Sequence, residues 1–329
     1  MLLLTAILTR RMGWLLVAIS ISVCQGCTYL GLIHSTDSGH AVPARAFHFQ
    51  DGGQAIYFSF DKSLPQWPPA AALTTPDTYL FIVPGSDCAS MAQYLPQYFR
   101  GLEGESGAVR IFILHKRFIQ ESSWNGWWGC SRAFIDMDYP SRWIADQTEF
   151  IAAQLQGAQS TRAQPKRVVL VGISEGGEIV PLLARSLPAV THVALLSNGG
   201  MNPMDVYRMQ AQRHGFAATG DFDGMDLATA REGMQQYIGG RRPRYWLELQ
   251  QITHSDNLLA LSIPLLIAMG ENDQSVPIES AWYIRDQFAL RGKSNLTLLT
   301  YPGADHGLAA NRHAHLPDFW HALDLWLEK

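Results

Sequence analysis

The stretch VVLVGISEGG, Val168 to Gly177, constrains the fold of this chain more than any other. Four apolar residues run without polar interruption, as in a strand covered on both faces, and a glycine-flanked serine then ends the run. Glu178 to Leu187 follows with helical spacing. A strand that turns into a helix within so few residues crowds backbones together, and Gly172 and Gly176 leave room for this. The same turn pushes the Ser174 hydroxyl into the open. A plain strand-to-helix turn fits this stretch as well, so any chemistry at Ser174 needs partners elsewhere in the chain.

Strand and helix alternate along most of the sequence. AFHFQ and AIYFSF, separated by DGG and a glutamine, read as a hairpin with period-two alternation. TYLFIVPGSD holds a strand over Thr78 to Val83 that ends at Pro84 and Gly85, with a helix near Met91 to Leu102. VRIFILHKR is a further buried strand, and Arg142 to Leu155 has helical spacing. Beyond Gly177 come THVALLSNGG, IPLLIAMG and LTLLTYPG, each a strand linked to a helical segment. This order predicts an α/β fold with a mostly parallel sheet and helices on both faces. Right-handed crossovers place the C-terminal strand ends on one edge, where Ser174 lies. From Gly200 to Leu259 the alternation lapses, with helix candidates at Pro203 to Gln212, Leu227 to Ile238 and Tyr245 to Ile252. Residues 200–259 are therefore expected as a helical lid inserted between core segments 46–199 and 260–329; helical decoration elsewhere on the surface is the alternative.

A chain of 329 residues suffices for one large core. Its net charge of -4, with 16% charged residues, gives no basic footprint and argues against nucleic acid as a partner. Near the start, Arg10 and Arg11 precede an apolar run from Trp14 to Val23, short for a bilayer span but suited to a signal peptide. The run ends in CQGC, Cys24 to Cys27, which resembles a bacterial lipoprotein signal, although Cys24 stands where leucine is usual. The resemblance implies removal of residues 1–26, lipid on Cys27, a tether over 27–45, and a position in the cell envelope facing the periplasm or exterior. Thr28 in place of aspartate resembles lipoproteins sorted to an outer membrane. Plain signal-peptidase cleavage or an uncleaved anchor is the alternative. With Cys24 removed and Cys27 lipidated, Cys88 and Cys130 remain in an oxidising compartment and are expected to form a disulfide; two separate buried thiols are the alternative.

Of eleven histidines, His306 stands apart, because YPGADHGL directly follows the last strand. Asp273 lies in GENDQSVP, just past the preceding strand, with Pro277 opening the next helix. Asp305 is a poor substitute, since adjacent side chains of an extended chain point apart. In GISEGG, GENDQSVP and PGADHG the chain resembles the α/β-hydrolases over Ala46 to Lys329. Ile173 departs from their pattern, where relatives often carry histidine, as does VPGSD, where many esterases show a His-Gly pair. The resemblance implies an eight-stranded sheet and a triad of Ser174 as nucleophile, His306 as base and acid, and Asp273 as orienting acid. It also implies an oxyanion hole from the backbone N–H groups of Glu175 and Ser86.

The expected activity is hydrolysis of a small carboxylic ester or other acyl substrate through an acyl-enzyme, with no cofactor and no metal. The G-x-S-x-G-G form also resembles the catalytic domain of prolyl oligopeptidases, which makes a serine peptidase the alternative; the short tether is expected to leave no room for their propeller. An anchored, non-enzymatic binding protein is the third reading. Four further features carry weaker expectations. Asp221, Asp223 and Asp226 lack the later glutamate of a calcium loop and read as a turn and helix cap. GGRRPR suits solvent or an anionic group. WNGWWGC lies beyond the fourth strand, where it either packs or lines an acyl site. His313 and His315, without a third ligand nearby, are expected to face water.

Overall fold

The computed structural model describes residues 42–63, 76–124, 129–160, 164–214 and 240–328. The leader, Cys27, the tether before Val42, the Asp221 to Asp226 cluster, the helix candidate Leu227 to Ile238 and the indoles of Trp127 and Trp128 lie outside the described residues.

Eight strands form one sheet: β1 (Arg45–His48), β2 (Gln54–Lys62), β3 (Thr78–Val83), β4 (Val109–Leu114), β5 (Arg167–Ile173), β6 (His192–Leu196), β7 (Leu265–Gly270) and β8 (Leu296–Tyr301). Their order is β1-β2-β4-β3-β5-β6-β7-β8. The β1–β2 and β2–β4 pairs are antiparallel, and the rest are parallel. Every residue of β3, β6 and β7 is buried, the outcome expected of uninterrupted apolar runs covered on both sides. Alternation along each strand divides the core in two: Phe81, Phe112 and Leu170 face one layer, and Leu80, Ile111 and Val169 face the other. Helices α1 (Arg132–Met137), α2 (Pro140–Ser160), α3 (Gly176–Ser186), α4 (Pro203–His214), α5 (Pro243–Leu249), α6 (His254–Leu259) and α7 (Glu279–Leu290) follow in chain order. Phe150 of α2, Ile179 of α3 and Ile284 of α7 fill the first layer. The last helix, α8 (Leu316–Trp326), covers the opposite layer with Phe319, Trp320 and Leu323.

Several helix boundaries differ from the sequence reading, the helix over Arg142 to Leu155 for instance running Pro140–Ser160, and three differences change the elements themselves or where they start. The expected helix over Met91 to Leu102 is two short 3-10 turns, Met91–Tyr94 and Gln97–Phe99, because Pro96 lacks an N–H and disfavours helical backbone at the residue before it. The candidate over Tyr245 to Ile252 is the shorter α5, which begins with Pro243 at its first turn and ends at Leu249, and a separate α6 that the sequence reading did not anticipate follows at His254. Helix α7 begins at Glu279, after Ile278, and not at Pro277.

The turn from β5 into α3 is the tightest feature of the fold. A Cβ on Gly172 would lie 2.5 Å from Gly177 Cα, and one on Gly176 would overlap the carbonyl oxygen of Val83 in β3. Ser174, between them, has φ 52°, a left-handed conformation that costs a serine about 1–3 kcal/mol unless its surroundings enforce it. Its N–H donates to Leu196 O at 2.8 Å and its carbonyl accepts from Gly177 N at 2.8 Å, so both neighbours hold the turn.

A buried polar cluster clamps this turn to β6. Asn198 Nδ2 donates to Glu178 Oε1 at 2.9 Å. His254 Nε2 lies 3.0 Å from Asn198 Oδ1 and 3.1 Å from Gly199 O, and its Nδ1 faces Glu178 Oε2 at 3.4 Å. Burial pushes the Glu178 carboxyl up to about 8 and the His254 imidazole down to about 4, so both are neutral at pH 7. The proton on Glu178 then faces the bare Nδ1 of His254, and the imidazole N–H donates from Nε2.

The folded state therefore keeps the Glu178 proton up to about pH 8, while the unfolded chain releases it near its ordinary value of 4.5. The stability this supplies is complete below 4.5 and is lost as pH rises through 8. Glu178→Gln has no such proton to lose. Its urea midpoint relative to wild type should rise steadily between pH 5 and pH 8, and a constant difference would contradict the assignment.

Candidate active site

The C-terminal edge of the sheet brings together three side chains that are far apart in the chain. Ser174 Oγ lies 2.9 Å from His306 Nε2, and His306 Nδ1 lies 2.8 Å from Asp273 Oδ2. Each comes from the loop after a different parallel strand: Ser174 after β5, Asp273 after β7 and His306 after β8. Asp273 Oδ1 accepts the N–H groups of Ser275 and Val276 at 2.7 and 2.8 Å, which fixes the carboxylate and leaves Oδ2 for the imidazole. The Asp273 side chain is fully buried, and His306 is 18% exposed, so water reaches the ring and not the acid. Ser197 Oγ donates to the carbonyl of His306 at 2.7 Å and ties its loop to the end of β6. Asp305 Oδ1 accepts from the N–H groups of Gly307 and Ala309, both at 2.9 Å, so this carboxylate serves its own turn. With Asp273 as acceptor, Nδ1 carries the imidazole proton and the Nε2 lone pair faces the serine hydroxyl.

The loop after β3 passes against this site, where a Cβ on Gly85 would stand 3.2 Å from Ser174 Cβ. Among the described residues, neither Ser86 N–H nor Glu175 N–H donates a hydrogen bond. Glu175 stands at the start of α3, where the helix dipole adds positive potential. The expected disulfide is present: Cys88 and Cys130 are joined, with their Cα atoms 5.5 Å apart. It links the Ser86 loop to the segment before α1.

The sequence reading missed a set of charged side chains just behind the serine. Lys116, after β4, is 3.0 Å from Asp138 Oδ1 and 3.2 Å from Glu175 Oε2. Burial draws its ammonium down to about 7, opposed by the Glu175 carboxylate. Tyr245 of α5 donates to Glu175 Oε1, and Arg241 pairs with Asp138 and donates to Ser86 O at 2.6 Å. No motif marks Lys116 or Asp138, and GGRRPR does not name a partner for Arg241, because these groups meet only once β4, α1 and the segment before α5 converge.

Two expectations require correction. Of the arginines of GGRRPR, Arg241 and Arg242 are largely covered and meet Asp138 and Asp136, whereas Arg244 faces solvent as expected and pairs with Glu248 of its own helix. The His313 and His315 pair does have a third group. Asp318, brought round by the start of α8, lies 3.1 Å from His313 Nε2 and 2.9 Å from His315 Nδ1. The three have the donor types and spacing of a cation site, with ligand atoms within 4.8 Å of one another. Each imidazole already meets the carboxylate. Trp124, the one indole of WNGWWGC within the described residues, is exposed.

Residues 129–329 match the model of the prolyl oligopeptidase family. No curated protein matches the chain. Among solved structures, Est1E from Butyrivibrio proteoclasticus is similar, with a TM-score of 0.57 at 17% identity over 87% of this chain and 97% of that one. A structure of ferulic acid bound to Est1E gives 0.55 at 17% identity over 84% and 97%. The acylaminoacyl peptidase of Pyrococcus horikoshii gives 0.56 at 12% identity over 88% of this chain and 42% of that one. At these identities the likenesses establish a common α/β-hydrolase fold. The family match spans most of the chain and includes Ser174, Asp273 and His306: the chain belongs to the prolyl oligopeptidase family and is a hydrolase.

Proposed function

We propose that the protein is a serine hydrolase that cleaves a small carboxylic ester through an acyl-enzyme on Ser174. The observation that carries this is the unbroken line from Ser174 Oγ through both ring nitrogens of His306 to Asp273. A serine hydroxyl is a weak nucleophile at neutral pH, and a base 2.9 Å away removes that obstacle. As Oγ attacks the substrate carbonyl, its proton passes to His306 Nε2, and Asp273 stabilises the imidazolium. The carbonyl π electrons move onto oxygen, where the N–H groups of Ser86 and Glu175, which donate to no other group among the described residues, receive the negative charge. The tetrahedral adduct collapses, the C–O bond to the leaving alcohol breaks, and Nε2 returns the proton to the departing oxygen. Water then repeats the sequence on the acyl-serine, releasing the acid and the free hydroxyl.

An ester is favoured because Est1E, whose structure is known with ferulic acid, is matched along almost its whole length, whereas the peptidase is matched along 42% of its own. The family model favours a peptide bond instead, which makes a serine peptidase the second reading. We further propose a position in the cell envelope, with lipid on Cys27. The CQGC motif supports this, as does a disulfide of the kind that persists in oxidising compartments.

A fluorophosphonate probe should label the wild-type protein and not Ser174→Ala; labelling of both would overturn the assignment of the nucleophile. His306→Ala should lower kcat by about a thousandfold or more. Aryl esters, p-nitrophenyl acetate and methyl ferulate among them, should turn over faster than proline p-nitroanilides. The reverse order selects the peptidase. For the anchor, mass spectrometry of the wild-type protein should find a lipid-modified N-terminal peptide that begins at Cys27, and an unmodified Cys27 would exclude lipid at that residue.

A further inference from the structure

We infer that Asp138 is a positioning residue that sets the distance between the two halves of the oxyanion hole, through Arg241 on one side and Lys116 on the other. This rests on the reading of Ser86 and Glu175 as the two donors. They belong to separate loops, after β3 and after β5, and an oxyanion hole works only if its donors are already aimed before charge develops. Something must hold the loops in register.

The connection can be traced atom by atom. Ser86 O accepts from Arg241 Nη2 at 2.6 Å, and the same guanidinium pairs with Asp138 Oδ2. Asp138 Oδ1 accepts from Lys116 Nζ at 3.0 Å, and Lys116 reaches Glu175 Oε2 at 3.2 Å. Tyr245 completes Glu175 by donating to Oε1. The path runs from one donor residue to the other without touching the triad.

The chain spends four buried or nearly buried charges on this connection. The Asp138 side chain has no exposure, and Lys116, Glu175 and Arg241 are at most 16% exposed. Stability alone does not favour such a cluster, since well-packed apolar residues often serve as well or better. With Lys116 protonated its charges balance, two cations against two carboxylates, which leaves no net potential to recruit a charged substrate. Its cations are also confined: Lys116 Nζ sits 3.3 Å above the Trp143 ring, and the Arg241 guanidinium 4.9 Å from the Tyr245 ring. A rigid, neutral, enclosed bridge suits the placing of backbone and not the binding of a ligand.

The test uses the full chain in detergent, with p-nitrophenyl acetate as substrate. Arg241→Ala should lower kcat about ten- to a hundredfold, less than loss of a donor itself, with KM within threefold of wild type. Guanidinium chloride at millimolar concentration should restore part of kcat in Arg241→Ala and leave wild type unchanged. Asp138→Asn should show the same split between kcat and KM; if it fails to fold, Arg241→Ala with its rescue decides alone. Wild-type kcat in Arg241→Ala, or a loss that follows unfolding and ignores guanidinium, would overturn the inference. Fluorophosphonate labelling separates the two claims. A wild type that is labelled, beside an Arg241→Ala of full activity, sinks only the bridge, whereas a wild type that takes no label sinks the reading of the site and the bridge with it.

Discussion

The close approach of β5 and α3 to the backbone of β3 is the constraint on which the rest of the structure depends. At Gly172 and Gly176 there is no space for a methyl group, and any side chain there would drive α3 off the sheet. That contact holds Ser174 at a positive φ, and the strain is sustained by hydrogen bonds to Leu196 and Gly177 on either side. Because all the parallel strands end on the same edge, the loops carrying Asp273 and His306 need only short excursions to reach the hydroxyl. The geometry of the site thus follows from sheet topology plus one enforced turn.

Around this turn the protein is anchored at several depths. The neutral cluster of Glu178, Asn198 and His254 secures α3 to the end of β6 from below. The loop after β3 is fixed at three successive points: Ser86 by Arg241, Cys88 by its disulfide, and Met91 by His115, whose Nε2 accepts the Met91 N–H at 3.1 Å. Burial lowers the His115 pKa to about 4, so it stays a neutral acceptor at physiological pH. With its cysteines separated by 42 positions in the sequence, the disulfide removes about 4 kcal/mol of loop entropy from the unfolded chain in the entropic model. A loop held this firmly suits a donor that must be in place before reaction begins.

Much of this was legible in the sequence, and the reasons are particular. Thr78 to Val83 is a buried strand with no polar interruption, and its observed boundaries are those its composition predicts. The order of serine, acid and histidine, each just past an apolar strand, located three residues that the fold brings within hydrogen-bond reach. What was not legible depends on contacts across the chain. Asp138 and Lys116 carry no local pattern, and GGRRPR marks Arg241 as basic without naming its partner, because ion pairs between the end of α1, the loop after β4 and the segment before α5 leave no mark in spacing. Asp318 joins His313 and His315 only because the chain turns into α8 between them. The break at Pro96 was visible and was outweighed by the apolar spacing around it.

As the proposed nucleophile, the serine at the enforced turn should become covalently acylated during turnover. Acid quenching of the full-length protein during turnover of p-nitrophenyl butyrate, followed by mass spectrometry of its peptides, tests this most directly. One butyryl increment is expected, on the peptide containing Ser174, and it should be lost in Ser174→Ala. Steady turnover with that peptide unmodified, or acylation of a different residue, would contradict it.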